Sequence, residues 1–150
     1  MPERQTLRRA QRDKRQGKAA STQAGEFVRE EMEHIREGRH GARSAKQAIA
    51  IGLSKARRAG VELKAPAKGK TSETRRRKAA RDYARGHGAP AKRAQTIRRA
   101  NSSENALKRE SRSAASHTAL ARQASGAARR RSASSRSAAA KKAARTRKSH

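Results

Sequence analysis

Residues 22–60 read TQAGEFVREEMEHIREGRHGARSAKQAIAIGLSKARRAG, and the spacing of their apolar residues decides the fold class. Val28, Met32 and Ile35 fall at i, i+4 and i+7 with Phe27 beside them, so a helix over 22–37 has one apolar face. Ser21 or Thr22 is placed to cap it, Glu26, Glu30 and Glu31 suit its early turns, and Gly38 is placed to stop it. A second helix is predicted over 45–59. Ser44-Ala-Lys-Gln47 has the form of a capping box, and Ala45, Ala48, Ile49, Gly52, Leu53 and Ala56 make one apolar stripe. Ala48 and Gly52 are small enough to admit another helix at close range. Gly60 is expected to end this helix, with Val61 packing back toward Ala56. Two amphipathic helices and a short loop predict a helical hairpin. Its expected core is Phe27, Val28, Met32, Ile35, Ile49 and Leu53, with Ile51 at the margin. A core that small leaves room for a homodimer through the hairpin.

Outside this stretch the chain offers little to bury. It has 150 residues, of which only twelve are Leu, Ile, Val or Phe, and alanine makes up most of its 32% hydrophobic content. Such a composition, with a net charge of +29, points to disorder over much of the chain. The fold class expected is all-α: a small helical hairpin followed by a long basic, partly helical or disordered tail. The divisions expected are a basic arm over 1–20, the hairpin over 21–63, and an Ala/Arg/Lys/Ser-rich tail over 64–150. Within the tail, 72–85, 90–100 and 103–125 read as partial helices of high alanine propensity, and 126–150 reads as the most disordered part.

The charge dominates the functional reading. There are 41 Lys+Arg against 12 Asp+Glu; residues 64–150 alone hold 26 basic and 4 acidic groups. Basic clusters recur along the tail: Arg75, Arg76, Arg77 and Lys78; Lys92 and Arg93; Arg98 and Arg99; Arg129, Arg130 and Arg131; Lys141 and Lys142. One such run is ordinary solvent-facing charge, but the series calls for an abundant polyanion. Arginine outnumbers lysine, which favours bidentate pairing with phosphate. In the hairpin, the loop Gly38-Arg39-His40-Gly41-Ala42-Arg43 leads into a helix N-terminus, where free amides favour anions. Arg39, His40 and Arg43 are therefore expected as a phosphate clamp, with Lys46, Arg57 and Arg58 beside them on the second helix. The alternative for this loop is an ordinary helix–helix turn.

Only two aromatic residues, Phe27 and Tyr83, are available to stack on bases. Single-strand and RNA modules use several. The expectation is thus histone-like, largely sequence-independent binding of duplex DNA. An RNA- or ribosome-associated protein is one alternative. A protein-interaction hairpin localised by its basic tail is the other. No enzyme is expected, because no nucleophile elbow, P-loop or paired-acid site is present. No cofactor, small-molecule substrate or membrane partner is expected. With no cysteine, disulfides and thiolate metal sites are excluded. The N-terminus lacks the apolar stretch of a secretory signal, and no apolar run is long enough to span a bilayer, so a cytoplasmic location on the nucleoid is expected.

Glu30, Glu31, Glu33, His34 and Glu37 crowd one segment. Glu31-Met-Glu-His34 matches half of a di-iron motif, but its second half is missing, so no metal site is expected. The segment reads as a solvated acidic face that pairs with the basic arm or tail.

Residues 23–61 resemble a family of small basic bacterial proteins of uncharacterised function. The shared features are an acidic helix ending before a glycine, a Gly-containing turn and a "KQAIAIxLS" helix. Here they are Glu33-His34, Gly38, His40-Gly41 and Lys46-Gln47-Ala48-Ile49-Ala50-Ile51-Gly52-Leu53-Ser54. Members are sometimes labelled DNA-binding or plasmid-stabilisation proteins. The resemblance implies a bacterial, cytoplasmic protein and no catalytic residue. The tail is similar in composition to bacterial histone-H1-like proteins, though richer in arginine and nearly free of proline.

Overall fold

The structure, a computed structural model, describes residues 2–89 and 93–148, with the backbone alone for 93–96. Among these residues it holds seven α-helices and no strand: α1 (Arg4–Arg15), α2 (Ala20–Arg36), α3 (Ala45–Arg58), α4 (Glu73–Gly86), α5 (Arg93–Lys108), α6 (His117–Arg129) and α7 (Ala133–Lys148). A 3-10 turn over Arg112–Ala115 precedes α6.

α2 and α3 form the centre, on the stretches where the apolar spacing predicts helices. Phe27, Met32 and Ile35 are buried, with Val28, Ile49 and Leu53 packed against them. Gly52 is where the two helices meet most closely: a Cβ there would lie 2.7 Å from the Val28 Cα. In an open helix, exchanging glycine for alanine stabilises by about 1 kcal/mol. Here the sign should invert, because two backbones must part. Gly52→Ala is expected to cost about 1–3 kcal/mol in urea unfolding; a gain would mean the helices separate freely.

The caps follow the sequence in part. Ser44 Oγ accepts from Gln47 N, as a capping box requires, but the Gln47 side chain accepts from Arg43 N rather than closing on Ser44. α2 starts earlier than Ser21 or Thr22 would place it; its N-cap is Ala19, which offers no side-chain acceptor. Gly38 and Gly60 end their helices at φ 78° and 87°, and Val61 N donates to Ala56 O.

The expectation of a small hairpin followed by a long, partly helical or disordered tail is overturned, because folded helices continue along the described residues to Lys148. The physical reason is small-residue packing that aliphatic counting overlooks. α1 lays Thr6, Ala10 and Asp13, spaced i, i+4, i+7, onto the α2 side of the core, where Ala10 joins Ala24, Phe27 and Ala56. A second cluster takes in Ala114 and Ala115 from the 3-10 turn and Leu120 from α6, against Met32, Ile35 and Ala48. α4 docks on α3 where Gly86, lacking a side chain, passes against the Arg57 carbonyl. Burying alanine gives little energy per residue, but it also costs no side-chain entropy. α7, in the stretch expected to be most disordered, is helical with no buried residue, in keeping with its run of alanines. None of the helices among the described residues is long and apolar enough to cross a membrane.

Candidate functional site

Two features of charge stand out: a buried ionic cluster between α1, α2 and α3, and an outer surface of cations with no acidic partner.

The cluster replaces the solvated acidic face expected of residues 30–37. Glu30 and Glu31 are buried, at 1% and 0% exposure, because α1 covers one side of α2 and α3 the other. Glu3 N donates to Glu30 Oε2 at 3.1 Å. Lys55 of α3 places Nζ 2.7 Å from Glu31 Oε2 and 3.7 Å from Glu30 Oε1. Across the cluster, His40 Nε2 sits 3.1 Å from Glu31 Oε1, and His34 Nε2 sits 3.0 Å from Glu3 Oε1. Arg39 Nη1 donates to Glu3 Oε1 at 2.7 Å. The hydrogen bonds from His34 and Arg39 hold the Glu3 carboxyl below its ordinary range. Glu33 and Glu37 do stay at the surface, paired with Arg29 and Arg39.

The predicted clamp residues are engaged internally. Arg39 is tied to Glu3 and Glu37, Arg43 faces Glu110 at 3.7 Å, and His40 turns inward. Two amides of the loop also donate to the chain itself: Gly41 N to Leu107 O and Ala42 N to Ser111 O. A Cβ on Gly41 would collide with the Glu110 carbonyl, so the glycine serves this backbone join. Arg57 is buried and donates Nε to Leu63 O; burial pulls its guanidinium below the usual value. Arg58 pairs with the buried Asp82 at 3.5 Å. Arg76 grips Glu73 with two hydrogen bonds, and Arg77 touches the same carboxylate.

The remaining expected contacts are exposed. Lys46, Arg75, Lys78, Arg98, Arg99, Arg129, Arg130, Arg131, Lys141 and Lys142 face solvent with no ion pair among the described residues. Lys92 lies outside the described residues, as does the Arg93 side chain. Arg81 and Arg85, missed in the sequence reading, share the outer face of α4 with Lys78 at i, i+3, i+7. Their helical spacing was the available signal. In α7, Lys141, Arg145 and Lys148 share one face at i, i+4 and i+7.

Internal pairing consumes the acids. All 12 carboxylates lie in an ion pair, and among the described residues they engage only ten lysines and arginines. Glu62 pairs with a histidine instead. Its Oε1 lies 3.0 Å from His87 Nε2, and Tyr83 Oη donates to its Oε2 at 2.6 Å. The Tyr83 and His87 rings stack at 4.0 Å.

This clasp joins α4 to the segment after α3 and sets a pH window. The backbone carbonyl of Tyr83 and then Glu62 raise His87 above its ordinary 6.5, with Lys14 opposing. Hydrogen bonds from Tyr83 and His87 lower Glu62 below 4.5. A raised histidine contributes below pH 6.5 and loses its contribution as pH climbs through the raised value. A lowered carboxylate contributes above 4.5 and loses it as pH falls through the depressed value. The clasp should therefore be tightest between those limits. The protection of α4 amides against exchange, corrected for the intrinsic pH dependence, should fall on either side, and Glu62→Gln should return His87 toward 6.5 in an NMR titration.

No protein-family model, no curated protein and no solved structure matches this chain.

Proposed function

We propose that the protein binds duplex DNA through arginine and lysine contacts to phosphate, largely without regard to base sequence. The observation that carries this reading is the exhaustion of the acids by internal pairs, which leaves the outer faces of α4 to α7 cationic and unneutralised. Cations on successive turns repel one another, and a phosphate chain relieves that repulsion while releasing its own counterions.

Backbone rather than base recognition follows from the aromatic residues. Phe27 is fully buried, and Tyr83 is stacked on His87 and bonded to Glu62. Neither is free to stack on an unpaired base. The bacterial family resembled by residues 23–61 accords with a role on the nucleoid.

The test is the salt dependence of affinity of the whole chain for a mixed-sequence duplex, with a structured RNA in parallel. Engagement of about ten phosphates should give a slope of log K against log salt near −9. Equal or better binding to DNA, with little effect of sequence, is the expected result. A shallow slope, or a strong preference for RNA, would overturn the proposal and favour the ribosome-associated alternative.

A further inference from the structure

We infer that Glu31, His34 and His40 bind one divalent transition-metal ion of the zinc class, as a clip between α2 and the loop that follows it. The donor atoms of these three side chains all lie within 4.8 Å of one another. Glu31 and His34 stand at i and i+3 on the same face of α2. Gly38, at φ 78°, then reverses the chain and brings His40 back over that face. Glu31-x-x-His34 has no second helical motif to complete it; the third donor comes from the loop instead.

The chemistry of the cluster asks for a cation. His40 Nδ1 lies 3.0 Å from the Gly41 carbonyl, which can only accept. Nδ1 therefore carries a proton, and the lone pair of the neutral ring is on Nε2. Nε2 faces Glu31 Oε1 at 3.1 Å, a contact that needs a proton or a metal ion between the two lone pairs. Glu31 is 1% exposed at its side chain, and neither of its oxygens receives a well-directed hydrogen bond. Lys55 sits against the other oxygen, leaving Oε1 to the histidines. Glu30 and Glu31 together bring two buried negative charges against the single ammonium of Lys55, and a buried charge without a partner is costly.

The surroundings match those of a metal ligand set. Donation from a ligand histidine to a backbone carbonyl fixes its tautomer and orients its other nitrogen. Two imidazoles and one carboxylate suit zinc or its neighbours, with a fourth position for water or for Glu3, which already touches His34. Arg39 Nη1 lies 3.0 Å from His34 Nε2 and would give way; at 54% exposure, with Glu37 as a second partner, it has room to do so. This site is independent of the DNA reading.

The experiment uses the full chain, freed of nucleic acid and stripped with a chelator. Zn2+ is titrated by calorimetry, and Co2+ is added as a visible reporter of coordination. One ion per chain is expected, with Co2+ bands of a low-coordinate nitrogen and oxygen site and a rise in melting temperature. His34→Gln and His40→Gln should each weaken binding at least tenfold, while His87→Gln and His117→Gln, at exposed positions, leave it unchanged. His40 is in a loop, so its variant remains informative if His34→Gln fails to fold. Absence of binding by the folded chain would mean that a proton fills the gap. Binding indifferent to His34 and His40 would place the ion elsewhere. Either result overturns the inference.

Discussion

Lys55→Met should destabilise the fold by about 3–5 kcal/mol, the usual penalty for removing one partner of a buried ion pair. Among the described residues, Lys55 is the only lysine or arginine within ion-pair reach of Glu30 and Glu31. Methionine keeps the length of the side chain and its packing while deleting the charge. Two carboxylates are then left in a space closed to water. For a small domain that loss is a large share of the whole stability. Urea unfolding followed by circular dichroism, with a chelator present, would measure it. Replacing Glu31 as well, by Gln, removes one of the stranded charges. The double variant Lys55→Met/Glu31→Gln should therefore be more stable than Lys55→Met alone. If it is equally unstable, Lys55 matters through its packing and the electrostatic account of the cluster is wrong.

Deleting everything after Ser132 should do the opposite: leave stability untouched and change binding. α7 buries no residue, so the remaining helices should melt as they do in the full chain. The deletion takes away Arg136, Lys141, Lys142, Arg145, Arg147 and Lys148. Each cation that meets a phosphate contributes about 0.9 to the salt slope, so loss of all six should make the slope shallower by about 5. Fluorescence anisotropy on a duplex across a range of salt concentrations gives the number. An unchanged slope would mean that α7 stands clear of the DNA and that α4 to α6 carry the contacts.

The sequence was most informative where energy comes from large side chains. Phe27, Met32 and Ile35 declared α2, and the Ala48–Gly52 stripe declared both α3 and the closeness of its neighbour. It was least informative where folding rests on alanine and glycine. Ala114 and Ala115 look like spacers in a low-complexity tail, yet both are buried against Met32 and Ile35. Gly86 looks like the end of a weak helix, yet it is the point where α4 meets α3. The site was partly legible for a similar reason. Charge runs are visible in one dimension, but pairing is not. Arg39 and Arg43 had the spacing of an anion clamp; the acids that occupy them include nearby Glu37, but Glu3 and Glu110 lie far along the chain in either direction. Glu31 and His34 were visible as a pair, and His40 was read with the arginines because only the fold turns it inward.

The bond from Arg36 Nε to Ala115 O joins residues 79 apart in sequence. Closing a loop costs more entropy as it lengthens, by about 0.6 kcal/mol for each doubling. α2 and α3, neighbours in the chain, pair at little such cost, whereas the segment around Ala115 must search for a surface that does not exist until they have met. Assembly should thus run in two stages, with the α2–α3 pair first and the 3-10 turn and α6 settling last. The late stage is also the first to open. Transient release of Ala114 and Ala115 would uncover Met32 and Ile35 without unfolding the centre, and amide exchange should find Ala42, whose N–H is held by Ser111 O, opening with that segment rather than with its own helix pair.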